Sequence, residues 1–131
     1  MRMRKEAIKT AKSHPPHATY SQAIKAGNLV FAGLGPFDLE GKPVAKDIKL
    51  QTKVCMENLT ALLTEAGTTL DNLVEVTVYA LSHKKYYRPF DEVYRQYVKK
   101  DPPARVFIEV AGLPKGALVI MSVTAIIPEA A

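Results

Sequence analysis

Arg105 is the residue whose chemistry most constrains what this chain can do. It lies near the start of a strand-like segment, Pro102-Pro103-Ala104-Arg105-Val106-Phe107-Ile108-Glu109-Val110. Side chains alternate along a strand, so we predict one face that carries Val106, Ile108 and Val110 toward a core. The opposite face then carries Arg105, Phe107 and Glu109. A guanidinium keeps its charge, so an arginine among apolar residues requires an anion. That anion is either a small ligand or a carboxylate of a neighbouring subunit, from Asp91 or Glu109.

The composition is typical of one soluble globular domain. The chain has 131 residues, of which 47% are hydrophobic and 24% charged. We predict a single domain over residues 1–131, with a basic strand or arm at 1–17. The net charge of +5 is only a weak indication of nucleic-acid binding. We find no apolar run typical of a secretion signal or a membrane span, so we expect no membrane association and a cytoplasmic protein.

Hydrophobic spacing and turn residues predict an α+β fold with the element order β-β-α-β-α-β-β. We predict helices at 46–66 and 85–99, and strands at 20–25, 28–34, 73–81, 102–110 and 118–127, with a further short basic strand at 5–9. Asp47 is expected to cap the first helix and Gly67 to end it. Pro89 is tolerable only in the first turn of the second helix, whose inner face we expect to be aromatic.

One side of the predicted sheet lacks a cover. Two helices can cover only one face of a mixed sheet of this size. The other face is expected to carry four large apolar side chains, from Phe31, Tyr79, Phe107 and Ile120. An apolar face of that kind predicts burial against other copies of the chain.

The remaining reactive residues have structural interpretations. Cys55 is the only cysteine, so an intrachain disulfide is excluded, and its helical spacing places it in the core. His14, His17 and His83 are interpreted as solvated loop residues without metal-ligand spacing, and we predict neither a metal nor another cofactor. Glu109 is interpreted as a structural acceptor. The sequence leaves open whether Pro102 or Pro103 follows a cis bond.

Several motifs together resemble one known family, from about Ala18 to Ile127. They are Tyr20-Ser21-Gln22-Ala23, Ala32-Gly33, Glu65-Ala66-Gly67, Val74-Glu75-Val76-Thr77-Val78, Pro103-Ala104-Arg105, Glu109-Val110-Ala111 and Leu113-Pro114-Lys115-Gly116. On these motifs the chain resembles the RidA group, also called YjgF/YER057c/UK114 or L-PSP.

The resemblance implies a chorismate-mutase-like fold and a homotrimer with a barrel-like core and a pocket at each subunit interface. It also implies hydrolysis of 2-aminoacrylate-type enamines and imines to 2-keto acids and ammonia. In such a site Arg105 would hold the substrate carboxylate, and Tyr20 would hydrogen-bond the substrate. The residues expected to complete substrate binding are Gly33, Tyr87, Asp91, Phe107 and Ile120.

The departures from the family pattern lie at this pocket. Ile120 stands where the family has the glutamate credited with positioning water, and Ser122 stands where a second acid is usual. Phe107 replaces a cysteine, and Asp91 replaces an asparagine. An isoleucine cannot orient or deprotonate water. The predicted function is therefore an enamine/imine deaminase. The alternatives are a non-catalytic trimeric binder of small carboxylates and an RNA-acting protein. The basic charge is the only feature that favours the RNA-acting protein.

Overall fold

A six-stranded mixed sheet with two helices on one face forms the frame of the molecule. The computed structural model describes residues 3–129. The strands are β1 (Lys5–Ile8), β2 (Ala23–Ala26), β3 (Leu29–Leu34), β4 (Leu73–Ala80), β5 (Ala104–Glu109) and β6 (Val119–Ile126), and the helices are α1 (Ile48–Ala66) and α2 (His83–Tyr97). The strands lie side by side in the order β1-β2-β3-β6-β4-β5, and only the β4–β5 pair is parallel. The predicted fold class is confirmed.

Helix α1 begins and ends as its sequence predicts. The Asp47 side chain accepts the backbone N–H of Leu50 at 3.1 Å, which satisfies one of the free donors of the first turn. Gly67 adopts the left-handed conformation (φ 93°) that stops the helix. Cys55 is fully buried on the inner face of α1, and burial raises the pKa of its thiol, as expected of a core residue.

Helix α2 begins two residues earlier than predicted. The Ser82 hydroxyl accepts the N–H of Lys85 and caps the helix at His83. Pro89 consequently lies in the interior of α2, so the expectation that it occupies the first turn is wrong. Phe90 and Tyr94 are buried as predicted, whereas Tyr87 lies at the exposed rim.

The two faces of β5 are the reverse of the prediction. In the parallel pair with β4, Arg105 lies opposite Val76 and Phe107 lies opposite Val78. Both valines are buried beneath the helices, and paired residues share a face of the sheet. Arg105 and Phe107 therefore face the helices, while Val106 and Ile108 are 54% and 42% exposed on the opposite face. Both faces of this strand contain apolar residues, so alternation alone could not identify the inner face.

Within residues 3–129, no helix covers the opposite face of the sheet, which carries several apolar side chains among polar ones such as Glu75, Ser122 and Thr124. Phe31 is exposed on it, and Tyr79 and Ile120 are half-buried neighbours in the β4–β6 pair. Phe107, which we predicted here, packs instead against the core. Hereafter "the open face" means this surface, formed by Phe31, Tyr79, Val106, Ile108 and Ile120.

Candidate functional site

Arg105 lies in a cluster of charged and aromatic side chains between α2 and β5. Its Nη1 donates to Asp91 Oδ1 at 2.9 Å, and its Nη2 donates to the Tyr87 hydroxyl at 3.4 Å. The guanidinium carbon lies 4.7 Å from the centre of the Tyr94 ring, a cation–π contact. The side chain is 16% exposed. We call Arg105, Asp91, Tyr87 and Tyr94 the arginine cluster.

The carboxylate beside Arg105 comes from the same chain. The sequence had suggested a carboxylate of a neighbouring subunit, but Asp91 of the same chain, on α2, contacts Arg105 directly. Glu109 acts as a structural acceptor, as predicted, because its Oε1 receives the backbone N–H of His83 at 2.9 Å.

Asp91 is shared between two arginines. Its Oδ2 accepts from Arg95 Nη2 at 2.7 Å, while its Oδ1 accepts from Arg105. The hydrogen bond from Arg95, followed by that from Arg105, lowers the pKa of the Asp91 carboxyl despite its partial burial. Asp91 is therefore an anion at neutral pH. Three of the five N–H donors of the Arg105 guanidinium have no partner among residues 3–129.

Aromatic rings support the arginine cluster from the helix side. Phe107 contacts the rings of Tyr87, Phe90 and His83, with centroids 5.1 to 5.4 Å apart. His83 stacks on Tyr87. It is the first residue of α2 rather than the loop residue that we predicted. Phe107 thus acts as a wall that orients Tyr87, and it has no polar atom to offer a ligand.

A second group of candidate residues lines a cavity of about 440 Å³ at the end of β3 and the start of β6. We call it the His–Tyr cavity. Its lining includes His14, His17, Tyr20, Gly33, Phe37, Ile120 and Ser122. A side chain added at Gly33 would meet only open space, so this glycine keeps the cavity wide. Tyr20, Gly33 and Ile120, all predicted site residues, are brought together here.

Two histidines in this cavity correct a prediction. His14 is only 4% exposed, and His17 is half-buried, so neither is a solvated loop side chain. The two rings stack with centroids 5.5 Å apart, and both contact the edge of Phe37. Nothing near His14 and His17 in the sequence indicates this arrangement, because Phe37 and the hydrogen-bond partners at Gly35 and Gly41 lie 20 or more residues away.

Both ring nitrogens of His14 are committed to backbone groups. Its Nε2 accepts the N–H of Gly35 at 3.0 Å, so its Nδ1 carries the proton and donates to the carbonyl of Pro15. Burial lowers the pKa of His14, more than its hydrogen bond to Pro15 raises it. His14 is thus a neutral structural side chain.

The two groups do not meet within one chain. Arg105 is on β5, and β4 separates β5 from the strand that carries Ile120. Neighbouring strands lie about 4.8 Å apart, which puts these two backbones about 10 Å apart. Arg105 also points to the helix side, whereas Ile120 points to the open face. Within one chain the two side chains therefore lie on opposite faces of the sheet.

Across residues 3–129, no helix has both the length and the apolar character needed to cross a membrane. Within the same range, no three histidine, cysteine, aspartate or glutamate side chains converge as metal ligands would. All peptide bonds in this range are trans, including those before Pro102 and Pro103.

Comparison with known proteins places the whole fold in one family. A family model described as "Endoribonuclease L-PSP" matches residues 10–127. A RutC family protein of Pyrococcus abyssi is 47% identical over 94% of this chain and 98% of its own. The chloroplastic Reactive Intermediate Deaminase A of Arabidopsis thaliana is 33% identical over 88% of this chain and 62% of its own. The crystal structure of yeast Mmf1 superposes with a TM-score of 0.89 at 32% identity, covering 94% of this chain and 98% of that one.

Proposed function

The chain belongs to the endoribonuclease L-PSP family and is similar to Rid proteins, and from this premise we propose that it is an imine/enamine deaminase. The substrate would be a small 2-imino or 2-enamino carboxylate, and the products a 2-keto acid and ammonia. The observation that carries the proposal is the division of the site: an arginine with free donors lies in one region, and a largely apolar cavity lined by Tyr20 lies in another.

Arg105 would bind the substrate carboxylate. Its guanidinium is held by Asp91 and by the Tyr94 ring, so its position is fixed before a ligand arrives. The unpartnered N–H groups form a planar fork that matches a carboxylate. Asp91 also carries a negative charge close to that ligand, and it would weaken the binding of any anion.

In a homotrimer, the open face would be buried against other copies of the chain. Exposed Phe31, Val106 and Ile108 give this surface the character of an interface, because exposed large apolar side chains on an uncovered sheet face favour association. In such an assembly the β5 edge of one chain would lie against the His–Tyr cavity of the next. The solution mass would then be about three times 14.4 kDa.

A non-catalytic binder of small carboxylates is the second candidate. Ile120 supports it, since an aliphatic side chain occupies the point of the cavity where a water would have to be activated. The Asp91–Arg105 pair also supports the non-catalytic binder. Arg105 keeps donors for an anion, but the pair supplies no proton acceptor near Ile120.

The test is a coupled assay in which an amino-acid oxidase or threonine dehydratase generates the imine, whose decay is followed with and without the protein. We expect the wild type to accelerate decay and Arg105→Ala to lose about 10²-fold in kcat/KM, since one charge-assisted fork is removed. Arg95→Ala is the matched control. Arg95 also binds the Asp91 carboxylate, but from the exposed side of α2.

Two outcomes would contradict the proposal. Saturable binding of 2-ketobutyrate, lost in Arg105→Ala but without acceleration of imine decay, would establish the binder instead. Equal loss in Arg105→Ala and Arg95→Ala would show that Arg105 acts only through the ion pair with Asp91.

A further inference from the structure

We infer that His17 and Tyr20 form a proton-transfer pair that accepts and returns a proton during imine hydrolysis in the part of the His–Tyr cavity lined by Ile120. The inference rests on the proposed deaminase function and assigns to these two residues the role for which Ile120 has no suitable group. His17, Tyr20 and Ile120 line the same cavity. Ile120 has neither a donor nor an acceptor, so a proton released there must go to another side chain.

The hydrogen bonds of His17 define which ring nitrogen can accept a proton. Its Nε2 lies 2.7 Å from the carbonyl oxygen of Gly41. A carbonyl only accepts, so Nε2 carries the hydrogen and Nδ1 has the free lone pair. That nitrogen lies 3.3 Å from the Tyr20 hydroxyl.

The Tyr20 hydroxyl is arranged to pass a proton to His17. Its oxygen accepts the backbone N–H of His17 at 2.9 Å, which leaves its own hydrogen available to Nδ1. Tyr20 is 47% exposed, so a substrate or water can reach the hydroxyl. After proton transfer the imidazolium would donate from both nitrogens, to Gly41 and to Tyr20, so both charge states of His17 are hydrogen-bonded.

A short loop holds the acceptor for Nε2 in place. Gly41 has a φ of +84°, and a Cβ there would lie 3.2 Å from His17 Nε2, so only glycine permits this approach without displacement. The Asp38 carboxylate accepts the N–H groups of Glu40 and Lys42 and fixes the loop.

The charges around His17 are few. His14 stacks against it but is neutral, since both its nitrogens are occupied by backbone groups. Tyr20 is the titratable group hydrogen-bonded to the His17 ring, and Tyr79 is a further titratable residue that lines the same cavity. In the loop that carries Gly41, Asp38 is bound to backbone N–H groups, and Glu40 pairs with Lys42 at 3.6 Å.

The proposed step starts from a protonated imine. The water oxygen forms a bond to the imine carbon, and the C=N π pair moves to nitrogen. One water proton passes to the Tyr20 oxygen as the Tyr20 proton passes to Nδ1 of His17. The return transfer places that proton on the amine nitrogen. The C–N bond then breaks as the hydroxyl oxygen forms the C=O bond, and the released ammonia takes the hydroxyl proton, which gives a 2-keto acid and ammonium.

The experiment measures the pH–rate profile of imine decay for the wild type, His17→Gln and Tyr20→Phe. Glutamine places an NH₂ group where Nε2 is and can still donate to Gly41, but it cannot accept a proton. We expect the wild-type profile to have a limb on which the rate rises with pH, because only the unprotonated His17–Tyr20 pair can accept the proton. His17→Gln should lower kcat by about 10²-fold and abolish the limb, and Tyr20→Phe should do the same.

His14→Gln is the matched control, since it removes the other imidazole of the stack and keeps an acceptor for Gly35. It should keep the limb, whatever its effect on the rate. A His17→Gln protein that retains the limb overturns the inference, even if its rate falls, because His17 would then act only as a positioning residue. In that case Arg105-dependent activity in the wild type leaves the deaminase proposal intact. An inactive wild type overturns both.

Discussion

The arginine cluster is built on regular structure, whereas the histidines and Tyr20 of the His–Tyr cavity lie on loops. Arg105 and Asp91 sit on β5 and α2, and the pairing of β5 with β4 decides where the guanidinium points. His14, His17 and Tyr20 precede β2, outside any helix or strand, and are held by backbone groups of Gly35 and Gly41. A side chain on regular structure can thus bind the charge of a ligand. We assign proton transfer to side chains that are positioned by long-range hydrogen bonds.

The largest effect is expected when a carboxylate is placed in the cavity of a chain that lacks the imidazole. Ile120→Glu in the His17→Gln background should restore about 10²-fold of the lost rate, because the glutamate offers a new proton acceptor beside the same water. In the wild type the same substitution should change the rate far less, since the two acceptors would be redundant. Assays of all four combinations of the two substitutions measure this coupling. Equal effects of Ile120→Glu on the rate in both backgrounds would contradict the assignment of the proton acceptor to His17.

The loop-built half should depend strongly on His14. His14→Ala would leave the buried N–H of Gly35 without an acceptor, which costs about 1–3 kcal/mol of unfolding free energy. Urea denaturation measures the loss, and His14→Gln, which can accept the same N–H, should recover part of it. An unchanged midpoint in His14→Ala would show that water satisfies Gly35.

The same side chain gives the stability a pH dependence. Burial lowers the pKa of His14 from its usual 6.5, so the unfolded chain binds a proton that the folded chain resists. The contribution of His14 is complete above about pH 6.5 and decreases as the pH falls toward the lowered pKa. Unfolding free energies measured between pH 7 and about pH 5 should fall for the wild type and fall less steeply for His14→Gln.

In the half built on regular structure, a smaller gain is expected from Asp91→Asn. The amide keeps a hydrogen-bond acceptor for Arg105 and removes the negative charge that competes with a ligand carboxylate. Affinity for 2-ketobutyrate should increase about tenfold, the effect of one charged neighbour. Isothermal titration calorimetry measures it. Weaker binding in the variant would mean that Asp91 is needed to hold the guanidinium in position.

The smallest effect is expected from Arg95→Ala. Arg95 is exposed, and its bond to Asp91 joins neighbours on one helix surface, so its loss should leave the melting temperature within experimental error. The rate should stay within about threefold of the wild type. A large loss would extend the arginine cluster to the outer surface of α2.

The predictability of each region from the sequence follows from its construction. Asp47 and Gly67 are local signals, and they located α1 to within two residues. The inner face of β5 is a non-local property, since Val106 and Phe107 are both apolar and only pairing with Val76 and Val78 selects between them. Arg105 was predicted as a site residue from its own chemistry, because a guanidinium in an apolar strand requires an anion, whereas Tyr20 and Ile120 were predicted from the family resemblance. The environment of His17 was missed because Gly41 lies 24 residues away.

The open face connects the stability of the fold with the association of chains. Phe31, Val106 and Ile108 are between 42% and 54% exposed within the part of the chain that the structure describes. If association is what covers them, each chain gains part of its resistance to unfolding from its neighbours, and dilution removes that gain by mass action. The thermal midpoint should then climb with protein concentration, and a charged substitution such as Ile108→Lys would leave a chain that melts at one temperature at every dilution.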